Sequence, residues 1–411
     1  MKNINSITVT KVPCINFIFS IFMAIYPILC VYKAVSRFTV GDVVLILFFL
    51  YSLTNPFKIE KSFFAVLVFI FYAAFSTVVN SSLSYITINY EYSALLFRLI
   101  KMVFYFVCVF TTGRQFLDFK IFKKAVLVVF VCASLFLFLQ YIFYYAFGEI
   151  VLGQMPGLTL YLSEYAEIDY ERSFFYNFRP SSLFLEPAIF CQCASVGLVV
   201  ALFSKNNKKT DIISAFIITL AMIMTGSAQG ILFIIVIYGI YIFLMFKNKV
   251  MTVVLYIFAA VSCRELYVYL APFKNAVERL LHDEAAAEAR LGTYDACFSL
   301  HGLHSLFGYG YGVTYNNEYM AGAAYIWYGC GIIGLIMTIG IFYSFFRNAD
   351  NYVSKMLCLI FFIMFFGTAL FYNYMLYWYF ALIFGITATQ IEGENQSMEQ
   401  SVKDSLILDI G

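Results

Sequence analysis

Apolar runs of about 20 residues recur along the whole chain, and they constrain its fold more than any other feature. A helix needs roughly 20 mainly apolar residues to cross the hydrocarbon core of a bilayer. Twelve runs approach this length, near 14–32, 38–53, 62–79, 94–112, 125–147, 187–204, 212–225, 230–246, 250–270, 325–346, 356–372 and 375–390. Since the second, seventh and eighth are short, the pattern predicts a bundle of about 12 transmembrane helices, with 11 as the alternative.

The composition excludes a soluble fold. Hydrophobic residues make up 63% of the chain, and Asp, Glu, Lys and Arg only 12%, whereas soluble domains carry about 25% charged residues. We therefore predict an all-α integral membrane protein, with a single transmembrane domain over 1–390 and a polar cytoplasmic tail over 391–411. No basic cluster of the kind that binds a phosphodiester backbone occurs, so nucleic acid is not an expected partner.

The positions of Lys and Arg predict the orientation of the helices. Cytoplasmic loops of membrane proteins carry an excess of these residues. With 12 spans, every short loop on the side of the N-terminus carries Lys or Arg, so both termini are predicted to be cytoplasmic. The run at 14–32 is interpreted as an uncleaved first span. On the other side, about 148–186 and 271–324 are too long for turns, and we expect two large extracytoplasmic loops that fold onto the membrane face.

The first large loop ends in charged residues at the entry to an apolar run. Phe178 to Phe190 reads FRPSSLFLEPAIF, in which Pro187 suits the first turn of the following helix. We interpret Arg179 as functional, because a structural arginine has little to do between an aromatic run and a membrane segment. Glu186 has two interpretations, a catalytic carboxylate or an acidic cap beside the positive end of the helix.

The second large loop opens with a helix-like run, 273–291, which Gly292 is expected to end. Arg279 and Arg290 fall on nearly one face of this run at about 100° per residue. Such a face suits an anionic phosphate ligand, because the guanidinium fork matches two phosphate oxygens. The alternative is an amphipathic interfacial helix whose arginines pair with its own glutamates.

Histidines and alternating glycines follow in the same loop. His301 and His304 lack carboxylates or cysteines at ligand spacing, so we expect no metal; a role in orienting or deprotonating a hydroxyl is the functional alternative to a structural one. The run FGYGYG at 307–312 lacks the context of a nucleotide-binding loop. It is interpreted as a tight turn on the membrane surface, where Tyr311 and later Asn317 could contact sugar rings.

Charged residues also fall within predicted spans. Arg98 and Lys101 share one helix face, and charges at such positions face the bundle interior or reach an interface. Arg98 is a candidate contact for a phosphate or lipid headgroup; the alternative is that this span starts at about Met102. Asp42 is interpreted as an interfacial residue, and the sequence TGSAQG at 225–230 as a tight turn between two spans.

Together these features resemble the O-antigen polymerase family of bacterial inner-membrane proteins. The resemblance covers most of the chain as topology, and short motifs occur in the same order. They are Arg179 to Pro187 before a span, Thr225-Gly-Ser at the end of a short span, Arg290, Leu306-Phe-Gly-Tyr-Gly310, Asn317 and Gly331-Ile-Ile-Gly334.

The resemblance implies a glycosyltransferase of lipopolysaccharide biosynthesis that joins undecaprenyl-diphosphate-linked oligosaccharide repeat units at the periplasmic face. It implies no cofactor, since no nucleotide sugar is used. Arg179 and Arg290 would stabilise the diphosphate leaving group, with Arg172 or Arg279 as reserves. His304 or Glu186 would assist the attacking hydroxyl, and a flippase and a chain-length regulator of the same pathway would be protein partners.

Other functions fit parts of the pattern. An O-antigen ligase would use the same donor but transfer to lipid A-core, with a larger role for His301 or His304. A transporter or lipid-linked sugar flippase would show internal symmetry and polar residues at mid-membrane, whereas here the polar residues concentrate in the outside loops. A non-enzymatic partner in polysaccharide export is a further alternative.

Overall fold

The computed structural model describes residues 14–35, 37–54, 61–82, 92–161, 178–205, 207–245, 249–282, 292–315, 320–368 and 373–387. The helices before the first large loop are α1 (Cys14–Leu29), α2 (Val40–Ser52), α3 (Lys61–Ser82), α4 (Tyr92–Cys108) and α5 (Phe119–Phe147). Helix α4 continues through a π-helical turn, Val109–Gly113, and a last helical turn, Arg114–Phe116.

The second half of the chain is also helical. Its elements are α6 (Pro187–Phe203), α7 (Lys209–Met224), α8 (Ala228–Met245), α9 (Lys249–Tyr269), α10 (Ala271–His282), α11 (292–298), α12 (Leu303–Phe307), α13 (Gly322–Asn348), α14 (Tyr352–Gly367) and α15 (Tyr374–Thr387). A helix occupies each of the 12 predicted apolar runs. Five of these helices, α3, α4 with its last two turns, α5, α9 and α13, are long and apolar enough to cross a membrane. The prediction of an all-α membrane protein is therefore confirmed, and the number of spans stays a prediction.

A small β-hairpin ties several helix ends together. Strand β1 (Lys33–Val35) pairs with β2 (Phe38–Thr39) in antiparallel fashion. The chain after α5 joins them, since Lys33 N donates to Thr159 O at 2.8 Å and Tyr161 N donates to Val31 O at 2.8 Å. We call this end of the bundle the hairpin face. Helices α1, α3, α5 and α7 end there, and α2, α4, α6 and α8 begin there.

The last helix runs through the centre of the bundle. Residues 375–386 of α15 are all buried. The indole of Trp378 donates to Met23 O of α1 at 2.7 Å. The ring of Tyr374 packs on that of Tyr26, near the end of α1, with centroids 6.1 Å apart, so α15 starts at the hairpin face. Gly322 N donates to Thr368 O at 2.6 Å, so α13 begins at the same end.

Asp42 and Lys101 form a buried cluster, which corrects the interpretation of Asp42. Helix α4 begins at Tyr92, ten residues before Met102, so Arg98 and Lys101 are helical; where the membrane span starts stays a prediction. Lys101 Nζ lies 3.2 Å from Asp42 Oδ2, and the hydroxyl of Tyr105 donates to Asp42 Oδ1 at 2.7 Å. Asp42 also caps α2, because it accepts a hydrogen bond from Thr39 N at 3.1 Å. It is therefore a buried, paired carboxylate and not an interfacial one.

The second large loop differs from the prediction in two places. Gly292 is itself helical, within α11, whereas residues 283–291 of the expected run lie outside the described residues. Residues 303–313, which we call the glycine segment, do not lie across the helix ends. They insert between α3 and α13, where Gly310 N donates to Gly329 O at 2.7 Å. Helix α13 is broken at Gly331, whose φ of 67° lies in the left-handed region.

Candidate anion-binding site

Arg179 is presented by a loop that is firmly anchored to α5. Ser182 N donates to Gln140 Oε1 at 3.0 Å, and Ser182 Oγ donates to Ala133 O at 2.6 Å. The ring of Phe178 stacks on Tyr144 with centroids 3.8 Å apart. These contacts hold the backbone on both sides of Arg179, so its guanidinium is positioned by the protein core.

The guanidinium of Arg179 reaches the turn between α7 and α8. Its Nη2 donates to Gly226 O at 3.3 Å. Thr225 to Ser227 form the tight turn that the sequence predicted, with Gly226 at a φ of 61°. The Nε atom of Arg179 is buried and has no hydrogen-bond partner among the described residues.

Arg279 approaches the same place from α10. Phe273 and Ala276 are buried against Ile223 of α7 and Ile231 of α8. Arg279 follows Ala276 by three residues, so it continues the face of α10 that packs on the bundle. Its Nη1 atom is also buried without a hydrogen-bond partner in the described part of the chain.

The two arginines influence each other electrostatically. Burial, and then the positive charge of Arg279, lower the pKa of Arg179 to about 10. The nearby charge of Glu186 partly offsets this shift. Arg179 still carries its proton at neutral pH, so two positive charges face one site.

This arrangement leaves strong donors unused. A buried donor without a partner costs about 1–3 kcal/mol, and more when it is charged. Two buried like charges add repulsion. An anion with several acceptor oxygens would satisfy both guanidiniums at once, and a diphosphate offers the fork-like geometry that arginine matches best.

Glu186 stands at the start of α6 but does not cap it through its side chain. It is the N-cap residue, and its main-chain oxygen accepts a hydrogen bond from Phe190 N at 3.1 Å. Its carboxylate forms no capping hydrogen bond, while Pro187 occupies the first turn as predicted. The carboxylate is half-buried near Arg179, which is where a proton acceptor beside an anion site would be needed.

The remaining described candidates belong to the glycine segment and its support. His304 Nδ1 lies 3.1 Å from Gly308 O, and its ring stacks on Tyr309 with centroids 4.4 Å apart. Tyr311 is fully buried against Tyr325. His301 is exposed.

Arg98 holds the glycine segment from the side of α4. It donates a hydrogen bond to Gly312 O, so its guanidinium is engaged in packing. The segment is supported by α3, α4 and α13, whereas Arg179 and Arg279 are supported by α5, α7 and α8. The structure therefore brings Arg179, Arg279 and Glu186 together, while His304, Tyr311 and Arg98 form a second group.

Three predicted site residues, Arg172, Arg290 and Asn317, lie outside the described residues. The expected partnership of Arg179 with Arg290 stays a prediction. Arg279, which the sequence ranked as a reserve, is the arginine seen beside Arg179.

An aromatic cluster next to Arg179 was not singled out from the sequence. The hydroxyl of Tyr141 donates to Met224 O, directly before the turn that receives Arg179. Tyr144 and Phe178 stack beside it, and Tyr145 stacks on Tyr141 with centroids 5.8 Å apart. The spacing of tyrosines at 141, 144 and 145, on one face at the end of a helix, was the available signal.

Comparisons with known proteins give no further assignment. No protein-family model matches the chain, and no curated protein matches it. Within the described ranges, no group of three or more His, Cys, Asp or Glu side chains could hold a metal ion. The arginine pair is therefore the feature from which a function is inferred.

Proposed function

We propose that the protein is a surface-polysaccharide polymerase of the O-antigen type, a glycosyltransferase whose donor is a glycan on undecaprenyl diphosphate. The observation that carries this proposal is the pair Arg179 and Arg279, with buried donor atoms that no described residue uses. The diphosphate of such a donor has the negative charge and the paired oxygens that guanidinium groups bind. The type of glycan is proposed from the resemblance in motif order to the O-antigen polymerase family.

The proposed reaction is a displacement at the anomeric carbon of the donor. A hydroxyl of the incoming repeat unit attacks this carbon, and the bond from the carbon to the diphosphate oxygen breaks. The growing glycan is thereby transferred to the incoming unit, and undecaprenyl diphosphate leaves. Arg179 and Arg279 would bind the diphosphate and stabilise the negative charge that develops on it.

Glu186 is the proposed acceptor of the hydroxyl proton. It lies near Arg179, so a carboxylate and a diphosphate site are close to each other. His304 contacts Gly308 and Tyr309 within the glycine segment, so it is the less favoured candidate for this proton acceptor. Because guanidinium groups supply the positive charge, the proposed chemistry needs no metal ion.

The proposed setting is the bacterial inner membrane, with 12 spans, both termini cytoplasmic and the hairpin face in the periplasm. Support comes from the basic residues at the opposite end of the bundle, including Lys120, Lys123 and Lys124 at the start of α5 and Lys208 and Lys209 before and at the start of α7. An excess of Lys and Arg is typical of the cytoplasmic side. The arginine pair would then meet lipid-linked repeat units on the periplasmic side.

Gene deletion and complementation test the proposal. The deletion strain is expected to lose its polysaccharide ladder on a gel and to retain single repeat units on lipid A-core. Wild-type protein and a Lys274→Ala variant should restore the ladder, whereas Arg179→Ala and Arg279→Ala should not. Lys274 is a matched control, because it is a half-exposed cation on α10, the helix that carries Arg279.

Two results would contradict the proposal. Loss of all repeat units from lipid A-core in the deletion strain would indicate a ligase or a flippase. A full ladder from both arginine variants, at membrane levels equal to wild type, would show that the pair is not the site.

A further inference from the structure

We propose that α11 and the glycine segment, which includes α12, form a re-entrant loop over residues 292–313 whose apolar side chains contact the acyl chains of the bilayer. This inference concerns residues 292–313 and does not depend on the proposed function. It rests on how far the segment reaches along its neighbours, on its hydrogen bonds, and on the apolar surface it exposes.

The re-entrant loop reaches the middle of a membrane-spanning helix. It starts at the hairpin face, where Cys297 Sγ of α11 contacts Ala324 O near the start of α13 at 3.4 Å. At its far point, Leu306 O lies 3.3 Å from the hydroxyl of Tyr72, which also donates to Cys330 O at 2.7 Å. Tyr72 is 11 residues from the start of α3 and 10 from its end, or about 15 Å from either end at 1.5 Å per residue.

The contact of the glycine segment with α13 indicates the same depth in the membrane as its contact with α3. A Cβ on Gly331 would lie 2.1 Å from Leu306 O, so the two backbones touch. Gly331 is nine residues into α13, or about 14 Å below its start. The chain then returns toward the hairpin face, because Gly312 packs on Leu95 near the start of α4.

The polar backbone atoms at the tip of the segment are satisfied within the protein. Hydroxyl groups of α3 serve two of them: Ser76 donates to Phe307 O at 2.8 Å, and Thr77 accepts from Tyr311 N at 2.9 Å. Tyr309 N donates to Tyr328 O at 3.1 Å. Non-helical backbone at membrane depth is tolerated only when its polar groups are buried in protein or face water. These bonds meet that requirement.

From Leu303 to Phe307 the exposed side chains are apolar, whereas the exposed polar residues Asp295, Ser299 and His301 precede them in the chain. Leu303 is 72% exposed and Phe298 is 70% exposed, and Leu306 and Phe307 are also exposed. Along α3, Phe64, Val68, Phe71, Phe75 and Val78 are exposed at alternating spacings of four and three residues, and Val79 adjoins the last of them. This spacing makes one helix face. The glycine segment contacts Tyr72 and Ser76 of the same helix, so its exposed apolar side chains lie beside that face. We infer that bilayer hydrocarbon covers both surfaces.

Tryptophan quenching in bilayers tests the placement. The chain has two tryptophans; a Trp327→Phe background leaves only Trp378, which is fully buried. Leu303→Trp and Leu306→Trp are then introduced separately, so that one can carry the test if the other misfolds. Val68→Trp on α3 is the lipid-facing reference, and Val35→Trp on the hairpin is the aqueous reference.

Lipids with brominated acyl chains should reduce the emission of Leu303→Trp and Leu306→Trp as much as that of Val68→Trp. Aqueous iodide should reduce only the emission of Val35→Trp. Quenching of the segment variants by iodide would place the segment in water and overturn the proposal. Quenching by neither agent, in folded protein, would mean that another protein surface covers the segment, and this would overturn it as well.

Discussion

Two polar groups of the molecule, the arginine pair and the glycine segment, use their hydrogen-bonding atoms in opposite ways. Arg179 and Arg279 each keep a buried donor atom that no described residue accepts. In the glycine segment, the hydroxyls of Tyr72, Ser76 and Thr77 bond to the backbone. Unsatisfied buried donors are costly, and each calls for an explanation; a bound anion would supply one for both arginines. The first group is therefore suited to bind a ligand, and the second to hold the fold.

The largest expected effect is on anion binding by Arg179→Ala. Truncating one partner of a buried charged pair costs about 2–5 kcal/mol, so the variant should bind pyrophosphate at least about 30-fold more weakly than wild type. Isothermal titration of purified protein in detergent would measure the dissociation constant. Lys274→Ala should match wild type. Equal affinity of wild type and Arg179→Ala would remove the contrast between the two groups.

Gly331→Ala should damage folding instead of binding. A Cβ there would lie 2.1 Å from Leu306 O, on a backbone with positive φ. The clash and the strain together should lower the free energy of unfolding by about 3 kcal/mol. Thermal unfolding with a fluorescence reporter would measure this loss.

Gly340→Ala is the matched control, because it lies in the same helix with nothing within 4 Å of an added Cβ. It should leave stability unchanged or raise it by up to about 1 kcal/mol, since Ala favours a helix. Equal stability of Gly331→Ala and Gly340→Ala would mean that the segment does not pack against the break in α13.

Arg279→Gln should stabilise the protein when no anion is present. Removal of one positive charge relieves the repulsion on Arg179 and one buried unsatisfied donor, for a gain of about 1 kcal/mol. The melting temperature should therefore rise without ligand, and pyrophosphate should raise it less than in wild type. Arg264→Gln, at an exposed position of α9, is the control. A lower melting temperature for Arg279→Gln alone would indicate that Arg279 has a structural partner.

The smallest expected effect is a pH dependence. Because burial and Arg279 lower the pKa of Arg179 to about 10, this guanidinium loses its charge as the pH rises through that value. Anion binding should be present below this pH and should fall above it. Sulfate is a suitable probe, since its own charge does not change in this range. A sulfate affinity that stays flat well beyond this pH would contradict the lowered pKa.

The sequence predicted those features that depend on local pattern. The apolar runs gave the helices because a bilayer imposes their length and composition. Pro187 and the turn at 225–227 were found because Pro and Gly restrict or free the backbone at a single position. Arg179 was identified because a charged side chain at the edge of a membrane segment is expected to have a specific role.

The features that were missed depend on contacts between distant parts of the chain. The sequence around Asp42 shows no partner, because Lys101 and Tyr105 lie far along the chain, Tyr105 by 63 positions. Helical periodicity placed Arg279 and Arg290 on one face, but it could not show that Arg279 lies near Arg179. The local sequence of the glycine segment predicts a surface turn, because it does not show that α3 and α13 supply the hydrogen-bond partners of this segment.

Chain extension by purified protein tests the central claim most directly. The protein would be placed in lipid vesicles together with lipid-linked repeat units extracted from the deletion strain. Wild type and Lys274→Ala should produce a ladder of longer glycans and release undecaprenyl diphosphate, whereas Arg179→Ala should do neither. Folded wild-type protein that leaves the repeat units unextended, or an Arg179→Ala variant that extends them at the wild-type rate, would contradict the account.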